Sequence, residues 1–278
     1  MPARYDLHTH SLRSDGTTTP GEIAEEAASI GLAGFALTDH DTVEGWAEAR
    51  TVAGRVGVDF LPGMEVTTKH DNRSTHLLAY GIDPGSRELN NALDRVRHSR
   101  ERRARKMVAL LAADFDIDWQ SIDSDGEDRT VGRPHIADAL VAAGYFPDRS
   151  TAFAEVLHPR SRYYLPTYAI ETADAIRMVR EAGGLPVLAH PAAGRMTRSV
   201  DMSALEVFVA AGLWGIELDH PENLERWIPP LAEFAARNGL HVTGASDYHG
   251  AGKDNRLGER TSSAETWNLI RSLVAVPR

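Results

Sequence analysis

The chain has 278 residues, 42% of them hydrophobic, which suits one large domain with a sizeable core. It contains no cysteine, so disulfides, thiolate metal sites and cysteine nucleophiles are excluded, and any metal must be held by nitrogen and oxygen. Its formal net charge of -10 argues against a general nucleic-acid binder. The start does not resemble a signal peptide and no apolar stretch is long enough for a membrane span, so we expect a cytoplasmic protein without membrane association.

The first 85 residues alternate between short apolar strands and amphipathic helices. Thr19 and Pro20 together indicate a helix start, because Thr is a good N-cap and Pro suits the first helical position. Gly31 then marks the end of that helix. The predicted strands are Arg4–His8, Gly34–Thr38, Phe60–Glu65 and His76–Tyr80, and a second helix is predicted at Val43–Val56.

The alternation stops between about Ser86 and Tyr168, where we predict a helical insertion that covers the active site. Its first helix, predicted at Glu88–Ala113, is strongly basic in the middle. Those cations are either a solvated helix face or a basic rim that attracts an anionic substrate. They are Arg95, Arg97, Arg100, Arg102, Arg103, Arg105 and Lys106, and further helices are predicted at Pro134–Ala143 and Thr151–Leu157.

Strands and helices alternate again after residue 168. Such alternation predicts an α/β fold with a parallel sheet, closed into a barrel or an incomplete barrel. Residues 1–85 and 169–278 would form this barrel, with residues 86–168 as the insertion. The predicted strands are Leu185–Ala189, Gly215–Leu218 and His241–Gly244, and the helices are Thr172–Ala182, Ser203–Ala211, Asn223–Asn238 and a last one near Ala264–Leu273.

Side chains that commonly bind metals gather at the predicted strand ends. The carboxyl ends of barrel strands share one face, so ligands far apart in sequence can meet there. His8 and His10 would point to one face of their strand, where two imidazoles can bind one ion. A Glu such as Glu65 can bridge two ions. The candidate ligands are His8, His10, Asp15, His40, Glu65, His76, His190, Asp247 and His249.

A single histidine near a strand end is more often a hydrogen-bonded structural residue than a metal ligand. His220 precedes a proline as His190 does, and we assign it no metal-binding role. His70, His98 and His241 are likewise assigned to structure or solvent. The metal-site interpretation depends on the whole set, because five separate strand ends carry ligand-type residues.

These residues resemble the motifs of the polymerase and histidinol phosphatase (PHP) family. The motifs occur in the family's order along almost the whole chain. A loop Ser14–Thr17 and a segment Gly132–Ala137 resemble the branch that contains 3′,5′-nucleoside bisphosphate phosphatases and a 5′→3′ exoribonuclease. The matching motifs are Asp6-x-His8-x-His10, Thr38-Asp39-His40, Gly63-x-Glu65, His76, His190-Pro191 and Ser246-Asp247-x-His249.

The resemblance implies a distorted (β/α)7 TIM-like barrel with a trinuclear metal site. His8, His10, Glu65 and Asp247 would hold the first ion. Glu65, His76 and His190 would hold the second, and Asp15, His40 and His249 the third. Mn, Fe and Zn all accept such nitrogen and oxygen ligands.

Four residues of the insertion are candidates for binding the substrate. Arg133 and His135 begin a predicted helix, whose N-terminus favours anions. Arg160 could grip a phosphate through two donors. Tyr163 could stack on a base or pack in the insertion's own core. For the arginines, the alternative is ordinary surface charge.

The resemblance implies a phosphomonoesterase that removes the 3′-phosphate from nucleoside 3′,5′-bisphosphates. A metal-bridging hydroxide would attack phosphorus, and Asp39 or His249 would shuttle a proton. Alternatives are a 5′→3′ exoribonuclease on short RNA, a histidinol-phosphate phosphatase, an amidohydrolase and a non-catalytic metal-binding accessory domain. An amidohydrolase is disfavoured because no lysine lies at a predicted strand end, and no obligate protein partner is evident.

Overall fold

The strands of the computed structural model, which describes residues 2–122, 130–193 and 201–274, form a nearly closed barrel. They are β1 (Arg4–Thr9), β2 (Gly34–Leu37), β3 (Asp59–His70), β4 (Arg73–Tyr80), β5 (Ile170–Glu171), β6 (Leu185–Leu188), β7 (Gly215–Asp219), β8 (His241–Gly244) and β9 (Ser262–Ser263).

Nine α-helices lie within these described ranges. They are α1 (Pro20–Ser29), α2 (Trp46–Val56), α3 (Arg87–Leu111), α4 (Arg133–Ala142), α5 (Arg149–Glu155), α6 (Thr172–Glu181), α7 (Met202–Ala211), α8 (Ile228–Arg237) and α9 (Ala264–Leu273).

The sheet runs in the order β8-β7-β6-β4-β3-β2-β1-β9, with β5 beside β3. A parallel bridge between Thr9 and Tyr248 brings the segment after β8 against β1, so seven strands enclose the barrel. The main-chain N–H of Ser246 also donates to Asp6 Oδ1 (3.0 Å) and ties the same two segments together. This arrangement confirms the expected distorted TIM-like barrel.

Strand β4 departs from the predicted parallel sheet, because it runs antiparallel to both β3 and β6. A two-residue turn at Asp71 and Asn72, both with positive φ (48° and 59°), joins β3 to β4 as a hairpin. Strands joined by so short a turn must be antiparallel. The start of β4 therefore lies at the edge of the barrel where its parallel neighbours end.

Helix α1 begins as its sequence predicts. The hydroxyl of Thr19 accepts from the Glu22 main chain (3.1 Å), and the Glu22 carboxylate accepts from the Thr19 main chain (2.7 Å). This reciprocal cap satisfies two N–H groups that the helix itself leaves unpaired. The buried face of the helix then presents Ile23 and Ala27 to the barrel core.

Helix α3 joins two apolar clusters. Its first half packs Leu89, Leu93 and Val96 into the barrel core. Its second half packs Met107 and Leu111 into a cluster formed by residues of the 104–163 segment. The predicted insertion, 86–168, contains the whole of this second cluster, and the division into domains stays a prediction.

Among the described residues, every helix is too short or too polar to cross a membrane.

Candidate metal centre

Strand β1 delivers two histidines to the interior of the barrel. His8 and His10 are both fully buried. The strand is fixed from beneath by Asp6, whose carboxylate accepts from the Ser246 hydroxyl (2.5 Å) and from the Gly258 main chain (2.8 Å). Burial raises the pKa of Asp6 to about 6, against the opposing effect of its hydrogen bonds.

Four side chains converge at the end of β1. The Nε2 atoms of His8 and His10 lie 3.0 Å apart, and they lie 3.2 Å and 3.1 Å from the same oxygen of Glu65, Oε2. Asp247 Oδ1 lies 3.5 Å from His8 Nε2 and 3.4 Å from His10 Nε2. These are the four residues that the resemblance implies for the first ion, and they form one group with metal-ligand spacing.

The other oxygen of Glu65, Oε1, faces a second pair of histidines. His76 Nδ1 lies 2.8 Å from it and His190 Nε2 lies 3.0 Å from it. His76 reaches this point because β4 runs antiparallel and places its early residues beside the end of β3. Glu65 therefore lies between the first group and the residues implied for the second ion.

A third group surrounds Asp15 in the loop after β1. Asp15 Oδ1 lies 3.2 Å from His249 Nε2, and Asp15 Oδ2 lies 3.8 Å from His40 Nε2. His10 shares in this group through Nδ1, which lies 3.7 Å from Asp15 Oδ1. All nine predicted ligands are thus brought together, and their assignment to particular ions stays a prediction.

The carboxylates at the centre are held ionised by the surrounding imidazoles. Burial opposes ionisation of Glu65, but nearby His76 and His40 outweigh it and hold its pKa well below the usual range. Burial lowers the pKa of His190 and His249 to about 4. Neutral imidazoles and ionised carboxylates are the forms that coordinate a metal.

Two further residues at this centre were given no role by the sequence analysis. Glu217 Oε1 lies 3.0 Å from His8 Nδ1, and Glu217 Oε2 accepts from the His190 main chain (2.8 Å). His220 is buried, with Nε2 3.4 Å from Asp247 Oδ2. One feature of the sequence could have indicated a role for Glu217. It is an acidic residue inside the apolar strand predicted at Gly215–Leu218, and a buried carboxylate needs a partner.

The arrangement suits divalent metal ions. Ligands placed tetrahedrally at about 2.1 Å from an ion lie about 3.4 Å apart, and the first group has spacings of 3.0 to 3.5 Å. His40 Nδ1 and Asp247 Oδ1 are buried yet lack hydrogen-bond partners among the described residues. A metal would satisfy such orphaned atoms, so the donor set and geometry both fit.

Asp39, a predicted proton shuttle, holds the loop that follows β1. It accepts from the Ser11 main chain (2.7 Å), the Ser11 hydroxyl (2.7 Å) and the Ser14 hydroxyl (2.7 Å). Ser14 Oγ in turn lies 3.3 Å from His10 Nδ1. These contacts give Asp39 a part in positioning His10 and Asp15, and its role as a shuttle stays a prediction. His249, the other predicted shuttle, faces Asp15 as described.

The four predicted substrate-binding residues lie in different surroundings. Arg133 and His135 are at the start of α4, where His135 Nδ1 accepts from the Gly132 main chain (3.1 Å). Arg160 is exposed. Tyr163 packs in the second apolar cluster and its hydroxyl donates to Asp114 (2.8 Å). Arg160 and Tyr163 form no hydrogen bond or ion pair with the nine predicted ligands, and all four assignments stay predictions.

Comparison with known proteins agrees with this site. The model of the PHP domain matches residues 6–122. The 3′,5′-nucleoside bisphosphate phosphatase of Chromobacterium violaceum is 36% identical over 91% of this chain and 90% of the relative. The chain belongs to the PHP family. As a PHP protein it is a metal-dependent hydrolase, with the His, Asp and Glu groups above able to bind the metal.

Other relatives have different activities. The phosphoribosyl 1,2-cyclic phosphate 1,2-diphosphodiesterase of Eggerthella lenta is 34% identical over 88% of this chain and 94% of its own. The 5′-3′ exoribonuclease of Haemophilus influenzae is 29% identical over 90% and 91%. A solved metal-dependent phosphoesterase from Bifidobacterium adolescentis is 39% identical, covers 99% of both chains and superposes with a TM-score of 0.96.

Proposed function

We propose that this PHP protein removes the 3′-phosphate from nucleoside 3′,5′-bisphosphates, converting adenosine 3′,5′-bisphosphate (pAp) to AMP. The observation that carries the proposal is the continuous set of ligand groups around Glu65, with a buried cation of the insertion beside it. Arg100 of α3 donates to Asp41 Oδ2 (2.9 Å), and Asp41 directly follows His40. The activity of the Chromobacterium violaceum relative supports this choice of substrate.

We infer that the centre holds three divalent ions, Mn, Fe or Zn, since its donors are nitrogen and oxygen. Bound ions supply Lewis acidity, which lowers the pKa of a water molecule and neutralises charge on the phosphoryl oxygens. His8, His10, Glu65 and Asp247 would hold one ion, with Glu65 shared toward His76 and His190. Asp15, His40 and His249 would hold the third.

Neighbouring residues orient the predicted metal ligands and balance their charge. Glu217 accepts the Nδ1 proton of His8, which leaves Nε2 of His8 facing Glu65 and Asp247. Asp39 holds the loop that presents Asp15. Lys253 Nζ, 2.5 Å from Asp247 Oδ2, compensates part of the negative charge at the centre.

Contacts from the insertion reach the loops around the centre. Arg149 Nη1 donates to the main-chain oxygen of Asp15 (3.0 Å), and the Thr130 main chain donates to that of Arg13 (3.1 Å). These contacts support the proposal that residues 86–168 cover the active site. A small anionic substrate would then enter between the barrel and the insertion.

A second candidate activity is stepwise trimming of short RNA from its 5′ end. The favouring observation is a cleft of about 390 Å3 on the outer side of α3, lined by Arg95, His98, Arg102 and Tyr168. Cations and an aromatic ring suit a nucleic-acid backbone and base. The exoribonuclease of Haemophilus influenzae supports this alternative.

The test is phosphate release from a panel of substrates, measured with Mn2+ supplied and with metal removed. The panel holds pAp, AMP, histidinol phosphate, a ribose 1,2-cyclic phosphate and a short 5′-phosphorylated RNA. Fast metal-dependent release from pAp, with little from the others, is the expected result. Release of mononucleotides from RNA as the fastest reaction would replace the first proposal by the second.

A further inference from the structure

An arginine at the start of α5 contacts the main chain of the metal centre. Arg149 is the first residue of this helix, and its side chain is only 12% exposed. Its guanidinium Nη1 donates to the main-chain oxygen of Asp15 (3.0 Å). Asp15 is a predicted ligand of the third ion. A side chain of the insertion therefore holds the main chain of a loop that carries a predicted ligand.

The other nitrogens of this guanidinium are held by a carboxylate of α4. Arg149 Nε donates to Asp138 Oδ1 (2.7 Å), and Arg149 Nη2 donates to Asp138 Oδ2 (2.6 Å). Such a two-point contact fixes the plane of the guanidinium and so directs Nη1 toward the oxygen of Asp15. Asp138 is 47% exposed, and an ion pair with an exposed carboxylate adds little stability. The pair matters more for the direction that it imposes on Nη1.

The same guanidinium packs against the loop that carries His249. A Cβ added to Gly252 would overlap Arg149 Nη1, so the glycine lets the guanidinium lie directly on this main chain. The Gly252 main chain in turn donates to the His249 carbonyl (3.2 Å). Arg149 therefore contacts both the loop of Asp15 and the loop of His249.

These two loops are also joined to each other. The Thr17 main chain donates to the His249 carbonyl (3.1 Å), and Thr17 Oγ1 accepts from the Ala251 main chain (2.7 Å). Asp15 Oδ1 and His249 Nε2 lie 3.2 Å apart across this junction. Arg149 thus lies on the junction that sets the distance between two predicted ligands of one ion.

We propose that Arg149, held by Asp138, is a positioning residue that sets Asp15 and His249 for the third ion. Binding of a divalent cation there then depends on contact between the insertion and the barrel. The inference rests on the three-ion centre of the proposed function, but not on which phosphate ester is hydrolysed. Charge alone gives the opposite effect, because a nearby guanidinium repels a metal ion. The sign of the change on removing Arg149 therefore separates positioning from electrostatics.

The first test measures how many Mn2+ ions the full-length, metal-stripped protein binds and how tightly, by titration calorimetry. The wild type binds three ions. Arg149→Met keeps two and binds the third about 10- to 100-fold more weakly, the usual loss when an outer partner of a metal ligand is removed. Arg177→Met, which breaks a surface pair with Asp174 on α6, binds all three as the wild type does. Unchanged or tighter binding of the third ion in Arg149→Met would overturn the proposal.

A second variant leaves Arg149 and Asp138 in place. Gly252→Ala adds a methyl group where the guanidinium lies, and it weakens the third ion by a similar factor, about 10- to 100-fold. Gly54→Ala adds a methyl group in open space on α2, so it is the matched control and leaves all three affinities unchanged. In the Arg149→Met background, Gly252→Ala causes no further loss, because the contact has already gone. Additive losses would mean that Gly252 acts on His249 directly, against the proposal.

The part played by Asp138 is tested in the same way. Asp138→Asn removes the carboxylate that orients the guanidinium, and it weakens the third ion less than Arg149→Met does. In the Arg149→Met background it has no effect, because there is no guanidinium left to orient. A loss that persists in that background would show that Asp138 acts through its charge alone, and its positioning role would be wrong.

Thermal unfolding of the metal-free variants checks that the fold is intact. The midpoints of Arg149→Met and Gly252→Ala stay close to that of the wild type, because the pair with exposed Asp138 adds little stability. If Arg149→Met fails to fold, Gly252→Ala decides alone. Weaker binding of the third ion by Gly252→Ala then supports the proposal, and wild-type binding overturns it.

The outcomes separate this inference from the proposed function. If pAp is not hydrolysed but the third ion depends on Arg149, the proposed substrate fails and the positioning role stands. If pAp is hydrolysed and every variant binds three ions with wild-type affinity, the positioning role fails alone. Fewer than three ions in the wild type would overturn the three-ion centre and the positioning role together.

Discussion

The Nε2 atoms of His8 and His10 lie 3.0 Å apart and share a single carboxylate oxygen, Glu65 Oε2, at 3.2 and 3.1 Å. The other oxygen of Glu65 faces His76 and His190. One carboxylate therefore contacts two pairs of imidazoles that come from three separate segments of the chain. Glu65 is thus the carboxylate shared by the two pairs.

Replacing Glu65 by glutamine removes the charge that these imidazoles surround. We expect Glu65→Gln to lower kcat for pAp by about 100-fold or more, since even outer partners of metal ligands cost about 10- to 100-fold. Bound Mn2+, measured by elemental analysis, should fall in parallel. Glu206→Gln, at an exposed carboxylate near Arg237, is the matched control and should keep full metal content. Full metal content in Glu65→Gln would contradict the assignment.

Glu217 should act through His8 rather than on the substrate. Its carboxylate holds His8 Nδ1 and the His190 main chain, so Glu217→Gln weakens the orientation of the imidazole. We expect Mn2+ affinity to fall by about 10- to 100-fold while excess Mn2+ restores most of kcat. Asp219→Asn, at an exposed position of the same strand, should behave as wild type. A low kcat that excess Mn2+ does not restore would show a direct catalytic role instead.

The same substitution should affect stability differently at Arg100 and at Arg103. Arg100→Met leaves the buried Asp41 carboxylate without its cation, and we expect the free energy of unfolding to fall by about 3 kcal/mol. Arg103→Met removes a cation with no described carboxylate partner and should not lower the free energy of unfolding. Urea denaturation of both variants at equal metal loading measures the difference. Equal destabilisation by the two substitutions would contradict the contrast drawn between them.

Mn2+ binding should release protons near neutral pH. Burial opposes protonation of His10, but the carboxylates of Asp247 and Glu65 beside it outweigh burial and raise its pKa to about 9. A proton held by the His8–His10 pair must leave before an ion binds, so affinity for Mn2+ rises with pH until that pKa is passed. Titration calorimetry in two buffers of different ionisation enthalpy measures the release. Identical heats in both buffers at neutral pH would refute it.

The strand ends that carry the metal ligands could be predicted from the sequence, because the carboxyl ends of parallel barrel strands meet at one face. Asp6-x-His8-x-His10 and Asp247-x-His249 each place ligand-type side chains directly after an apolar strand. The predicted parallel sheet was wrong for β4, although the polar stretch at residues 69–73 is typical of a loop or a hairpin tip. The direction of β4 matters for function, because it explains how His76, near the start of its strand, lies beside Glu65 at the metal centre.

Contacts made across the barrel could not be predicted from spacing. Glu217 and His220 enter the centre only because β7 lies between β6 and β8, and a single His-Pro pair carries no such information. The same limit applies in the insertion. Arg103 was one of seven cations predicted to lie on a solvated helix face or a basic rim, and only the packing of α3 against α4 shows that it is buried.

The proposed function requires that this centre use divalent metal to hydrolyse a nucleoside bisphosphate. The most direct test is phosphate release from pAp by protein of measured metal content, first stripped of metal and then supplied with Mn2+. We expect the stripped protein to be inactive and activity to return in proportion to bound Mn2+. A full rate in the stripped protein, or no release from pAp by fully loaded protein, would contradict it.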